Sequence, residues 1–169
     1  VDQEAALEPL GVRFREAFGR YPTGVAVICA AGPQGPVGLT ASSVASVSLT
    51  PPALSFSVMG TRSARHLLTA PTLVVNLLGP AHVEVARCFS RPGGPRFTPD
   101  QGWSTLPTGE PFLPGAPAAL RVRPLRQVRV GEATVVIAGV LDVRHGPADG
   151  QLIYHARQFH TSPLSPEAN

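Results

Sequence analysis

Hydroxyl side chains crowd one apolar stretch of this chain, residues 38–57, GLTASSVASVSLTPPALSFS. Thr40, Ser42, Ser43, Ser46 and Ser48 interrupt the apolar residues, and Pro51-Pro52 then breaks the run. A buried hydroxyl without a partner costs about 1–3 kcal/mol, so a packed core strand avoids them at this density. Two readings stand at this point: an exposed antiparallel strand with a serine-rich face, or a strand and loop along which a polar ligand lies. Further on, Thr61-Arg62-Ser63-Ala64-Arg65 opens a segment of helical pattern. That arrangement suits a phosphate, because guanidinium groups bind it bidentately and amide N–H groups at a helix start lack intrahelical partners.

Other chemistries are poorly served. No GxGxxG follows a strand into a helix and no P-loop is present, so neither common phosphate-binding fingerprint is available. The five histidines, His66, His82, His145, His155 and His160, show no metal-ligand spacing, and no serine stands on a GxSxG elbow. All 14 basic residues are arginine, and the net charge is only +3. Their one tight group, Arg121, Arg123, Arg126 and Arg129, reads as the solvated face of a strand rather than a nucleic-acid surface. A flavin nucleotide site is one that these segments could supply. Isoalloxazine presents carbonyl and ring-nitrogen acceptors that backbone N–H groups and small hydroxyls at Thr40, Ala41, Ser42 and Ser43 could meet. Arg62, Ser63 and Arg65 would then serve the phosphate of FMN.

The elements that must position these residues are mostly short strands. With 17 Gly and 19 Pro in 169 residues, turns are frequent and a helix bundle is excluded. The spacing of Leu7, Leu10, Phe14, Ala17 and Phe18 predicts an amphipathic helix over 4–20. Strands are expected at 25–30, 37–46, 53–59, 72–78, 118–123, 126–130, 134–144 and 152–154, and short helices at 62–69 and 80–89. A loop rich in Pro and Gly runs over 91–115. No βαβ rhythm appears, so the expected architecture is a mainly β, antiparallel barrel with a few peripheral helices, forming one domain over 1–161. The tail, 162–169, is expected to be disordered. Cys29 and Cys88 read as free thiols of a reducing compartment, no run is long enough for a membrane span, and a cytoplasmic protein is expected.

Beyond these features, the chain resembles the short-chain flavin reductases of the FMN-binding split-barrel superfamily, the reductase components of two-component flavin monooxygenases. FREAFGRYPTGVAVICA (14–30), GLTASSVASVSLTPPALSFSV (38–58), VVNLL (74–78) and LIYHARQFH (152–160) carry the resemblance. It implies a homodimeric NAD(P)H:flavin oxidoreductase that binds FMN, with FAD as the alternative, takes NADH or NADPH as co-substrate and hands reduced flavin to a separate monooxygenase. It also implies that Thr40 to Ser43 bond the ring and ribityl chain, that Ser48 and Pro52 shape the same wall, and that Ser63 with Arg62 or Arg65 takes the phosphate. Asn76, Phe89, Ser90 and Arg96 would stand near or over the ring. The usual Gly-Asp-His triplet after the arginine-rich strand reads Gly131-Glu132-Ala133 here, which implies slower reduction. His155 and His160 are the candidates to replace the missing imidazole. The other readings on this fold are a protein that holds flavin without reductase turnover and one that uses bound flavin directly on an organic substrate.

Overall fold

The structure is a computed structural model that describes residues 2–164, and of residues 2–8 the backbone alone. In chain order it comprises α1 (Asp2–Gly19), β1 (Thr23–Gly24), β2 (Ala26–Ala30), β3 (Val37–Ala41), β4 (Ala45–Leu49), β5 (Pro52–Met59), α2 (Arg62–Thr69), β6 (Leu73–Leu77) and α3 (Val83–Ser90). Then follow β7 (Ser104–Thr105), β8 (Pro111–Phe112), β9 (Ala118–Val130), β10 (Ala133–His145), β11 (Gly150–His155) and β12 (Gln158–Pro163).

Seven strands form one antiparallel sheet in the order β3-β2-β6-β9-β10-β5-β4. Its two edge strands, β3 and β4, are separated in sequence only by Ser42, Ser43 and Val44. Laid flat, six strand spacings of ~4.8 Å would hold the edges about 29 Å apart. The four peptide steps from Ala41 to Ala45 reach at most about 14 Å. The sheet must therefore curl into a barrel, and the hydroxyl-rich crossover lies in the seam between its edges. This corrects the single strand expected over 37–46, which is broken at the place where the barrel closes. The chain thus forms the mainly β, antiparallel split barrel read from its sequence.

Ile28, Phe56, Leu67, Leu73, Val75, Val122 and Val136 fill the barrel interior. β2 is buried along its whole length, which is why Val25 to Ala30 reads as an unbroken apolar run. α2 buries Ala64 and Leu67 against this core, and α3 buries Val85, Ala86 and Phe89 in a second cluster with Val27 and Leu113. The arginine-rich segment and its neighbour form one strand, β9, rather than two. The register with β10 leaves Leu125 as an extra residue beside Pro124, so the residue that cannot donate to the ladder sits at a bulge. Arg121 is not on a solvated face. It is half-buried and donates to the carboxylate of Glu110, itself buried, at 2.8 Å.

A smaller sheet, β1-β11-β12, covers one side of the barrel. Ser162 and Pro163, assigned to a disordered tail in sequence, pair with Gln151 and Gly150 in it, while residues 165–169 lie outside the described residues. Cys29 and Cys88 are free. Burial pushes the Cys29 thiol well above the ordinary range, and the thiol donates to Pro111 O at 3.0 Å. No described helix is long and apolar enough to cross a membrane.

Candidate functional site

The seam, the start of α2, the end of α3 and the β11–β12 hairpin enclose one cleft of about 1160 Å³. Ligand pockets commonly run roughly 300–1,000 Å³, so this one is at the large end for a small-molecule site. Its polar lining is unusual in kind. Arg62, Arg87, Arg91, Arg96 and Arg157 all border it, with Ser42, Ser43, Ser57, Thr61, Ser63 and Ser90, and among the described residues no carboxylate does. A donor set of guanidinium groups and hydroxyls fits anionic, acceptor-rich ligands.

Each side of the cleft is built by local rules. β3 is an edge strand, so beyond Thr40 and Ala41 its outer backbone faces no further strand of the sheet. At α2, Thr61 caps the helix by accepting from the Ala64 amide at 3.2 Å, and the Arg65 amide bonds to Thr61 O. The amides of Arg62 and Ser63 have no intrahelical partner and stand at the cleft wall. At the opposite side, Phe89 ends α3 and packs edge-on against Phe97 at 5.0 Å and beside Trp103 at 5.3 Å. Gly38 in β3 makes room for this aromatic group, since a Cβ there would stand 2.8 Å from the Phe89 ring.

The residues singled out in sequence divide into three groups. Thr40, Ala41, Ser42, Ser43, Arg62, Ser63, Phe89, Ser90 and Arg96 line the cleft. Several of their polar groups are already engaged. The Thr40 hydroxyl donates to Ala86 O at 2.8 Å, and Ser43 Oγ accepts from Ser57 N at 2.9 Å and donates to Ser57 O at 3.2 Å. Ser43 therefore stitches the crossover to β5, while the Ser42 side chain is exposed at the cleft. Arg96 donates to Phe89 O and Arg91 O, closing the end of α3. The second group lies elsewhere. Arg65 is exposed one turn beyond Arg62 and does not border the cleft. Ser48 and Pro52 line a separate apolar groove with Leu54, Leu120 and Val143. Asn76 is fully buried, donating to Val27 O at 3.1 Å and accepting from Leu113 N at 2.9 Å, so it ties a loop to the barrel.

His155 and His160 form the third group. They face each other with ring centroids 6.1 Å apart, outside the cleft lining. The position of the missing imidazole, Ala133, pairs across the sheet with Met59, which does line the cleft. Directly opposed residues share a sheet face, so a side chain at 133 leans toward the cleft rim over Met59. Sequence reasoning gave no place in the cleft to Arg91, Arg157 and Gln158. The only local signal for the last two was the hairpin itself, whose turn residues Ala156 and Arg157 lack the Asn-Gly pattern that marks such turns.

Residues 18–163 match the flavin reductase like domain family. The chain belongs to this family. Among flavin reductase relatives, it is 39% identical over 158 residues to an NADH:FMN oxidoreductase of Rhodococcus qingshengii, covering 89% of this chain and 82% of that one. Its fold superposes with a TM-score of 0.82 on BorF, the flavin reductase component of a bacterial two-component tryptophan halogenase, at 27% identity over 92% of this chain and 99% of that one. It also superposes with a TM-score of 0.79 on the Streptomyces globisporus NADH:FAD oxidoreductase SgcE6 in complex with NAD and FAD fragments, at 29% identity and 94% coverage of both chains. As a flavin reductase, the chain has a cleft whose guanidinium groups and hydroxyls fit an anionic, acceptor-rich cofactor such as FMN.

Proposed function

We propose that this chain oxidises NADH and reduces FMN, and that the reduced flavin leaves to serve a separate monooxygenase. The observation that carries the reading is the cleft lined by arginines and hydroxyls, built on the family's barrel. Bound FMN supplies a two-electron acceptor for the hydride of the dihydronicotinamide. The protein's part is to hold and orient the two partners face to face. The edge of β3 and Ser42 support the flavin ring, the start of α2 anchors its phosphate, and the Phe89 aromatic group gives the floor rigidity. NADH is the assigned reductant by likeness to the relatives named for it, and FAD is the alternative flavin.

The assignment includes a homodimer in the cytoplasm. Phe14 and Phe18 of α1 are 63% and 59% exposed and Leu49 85%, and the apolar groove of about 440 Å³ lined by Leu49, Leu54, Leu120 and Val143 lies open. A second copy covering these surfaces would remove a large exposed apolar area from water. Leu73 to Val75 take no part in it, since they are buried within the chain's own core. The two free thiols fit a reducing compartment.

Anaerobic stopped-flow bleaching of FMN tests the reading. NADH should bleach FMN faster than NADPH, and Ala133→His, which adds an imidazole beside Met59, should raise kcat/KM about three- to tenfold, the worth of one neutral hydrogen bond. The lack of that imidazole favours a second reading, a flavin holder without turnover. FMN binding without bleaching by either nucleotide, in the wild type and in Ala133→His alike, would establish the second reading and overturn the first.

A further inference from the structure

The arginines of the cleft come from separate elements. Arg62 belongs to the start of α2, Arg87 and Arg91 to the end of α3, and Arg157 to the β11–β12 turn. Arg87 is partly neutralised by Glu84 at 2.5 Å, but the side chains of Arg91 and Arg157 have no hydrogen-bond or ion-pair partner among the described residues. With a phosphate at α2 beside Arg62, Arg91 and Arg157 remain as unpaired cations on the cleft wall, while Arg87 is held by Glu84.

Arg157 is held there at a cost. Ala156 and Arg157 form the two-residue connection between β11 and β12, with φ of 50° and 63°, in the left-handed region that Gly or Asn normally occupies. The Ala156 conformation has a partner that accounts for it, because its amide donates to Gly19 O at 2.9 Å at the end of α1. Arg157 has none, and its side chain borders the cleft. The positive φ closes the two-residue turn, which Gly or Asn would close more easily; that an unpaired guanidinium stands there on the cleft wall instead points to the ligand as the reason for the residue type.

We propose that Arg157, with Arg91 and Arg87, binds the pyrophosphate of the nicotinamide dinucleotide, and so selects the dinucleotide over its mononucleotide half. This rests on the reductase reading above. The turn thus sets the reach of the co-substrate, with one anion pole at α2 for the flavin and a second at the hairpin for the reductant. Arginine suits the task because its planar fork bonds two phosphate oxygens at once.

The test compares wild type, Arg157→Gln and Arg157→Gly. Steady-state KM is measured for NADH and for reduced nicotinamide mononucleotide, Kd for FMN and FAD by fluorescence quenching, and Kd for ADP-ribose by calorimetry on the FMN-loaded protein. Both variants should raise KM for NADH and Kd for ADP-ribose about three- to tenfold, with the mononucleotide KM and both flavin Kd values unchanged. Arg157→Gly should also keep or raise Tm, since glycine relieves the left-handed turn, which separates lost binding from lost folding. An equal rise in KM for NADH and the mononucleotide, a rise in flavin Kd, or no change in ADP-ribose affinity would overturn the proposal. ADP-ribose binding does not depend on turnover, so a failure of the reductase reading would appear separately, as a protein that binds nucleotide but does not bleach FMN.

Discussion

Substituting Glu110→Gln should remove about 3 kcal/mol of stability at neutral pH and flatten its dependence on acid. Glu110 is 2% exposed, and burial alone would raise its pKa above the usual 4.5. Hydrogen bonds from the Thr108 and Thr72 hydroxyls, from its own backbone amide and from Arg121 overcome that and bring it to about 2. A difference of about 2.5 pKa units between folded and unfolded chain corresponds to on the order of 3 kcal/mol. Because the folded pKa is depressed, this stability is complete above pH 4.5 and is lost as pH falls from there toward 2. Glutamine keeps the shape but not the charge: Arg121, a quarter exposed, loses its ionic partner, and because Thr72 and Thr108 donate to different carboxylate oxygens, only one of them still meets an oxygen while the other faces the amide NH2. For a chain of this size the loss should lower Tm by roughly 6–12 °C. Urea unfolding of wild type and variant at pH 7 and pH 3, without flavin and at one protein concentration, gives the difference directly. A variant within 0.5 kcal/mol of wild type at pH 7, or a wild type–variant gap that does not shrink at pH 3, would refute the role assigned to this carboxylate.

Arg62→Ala should lower the preference for FMN over riboflavin about three- to tenfold, less than a buried charge-assisted bond is worth because Arg62 is exposed; fluorescence titration with both flavins reads this. Gly38→Val should cost about 1–3 kcal/mol in urea unfolding and weaken FMN binding, because its Cβ would meet Phe89 at 2.8 Å and Phe97 at 3.1 Å. Phe14→Asp with Phe18→Asp should shift light scattering from dimer to monomer mass while far-UV circular dichroism keeps its strand signal. Ser43→Ala should destabilise the seam by about 1–2 kcal/mol by removing two bonds to Ser57, whereas Ser42→Ala should change flavin affinity and leave stability unchanged.

Local pattern determined most of the elements. The apolar run of 25–30, the helix opened by Thr61 and the strand carrying Asn76 follow from periodicity and capping, which act within a few residues. Residue chemistry likewise made Thr40 to Ser43 and Arg62-Ser63 legible as a place for a phosphorylated, acceptor-rich ligand. Sequence by itself could not say which hydroxyls remain free, because that depends on partners far along the chain. Ser43 is taken up by Ser57 and Thr40 by Ala86, and Asn76 is consumed by Val27 and Leu113. Nor could it separate Ser48 and Pro52 from Ser42, since which cavity each residue borders depends on the distant strands packed beside it. The convergence of Arg87, Arg91 and Arg157 on one cleft joins the end of a helix to a hairpin more than 60 residues away, and only the packing of the small sheet against the barrel brings them together. Propensity and spacing act locally; burial and closure of the barrel act at long range, and they decided which of the legible residues face the site.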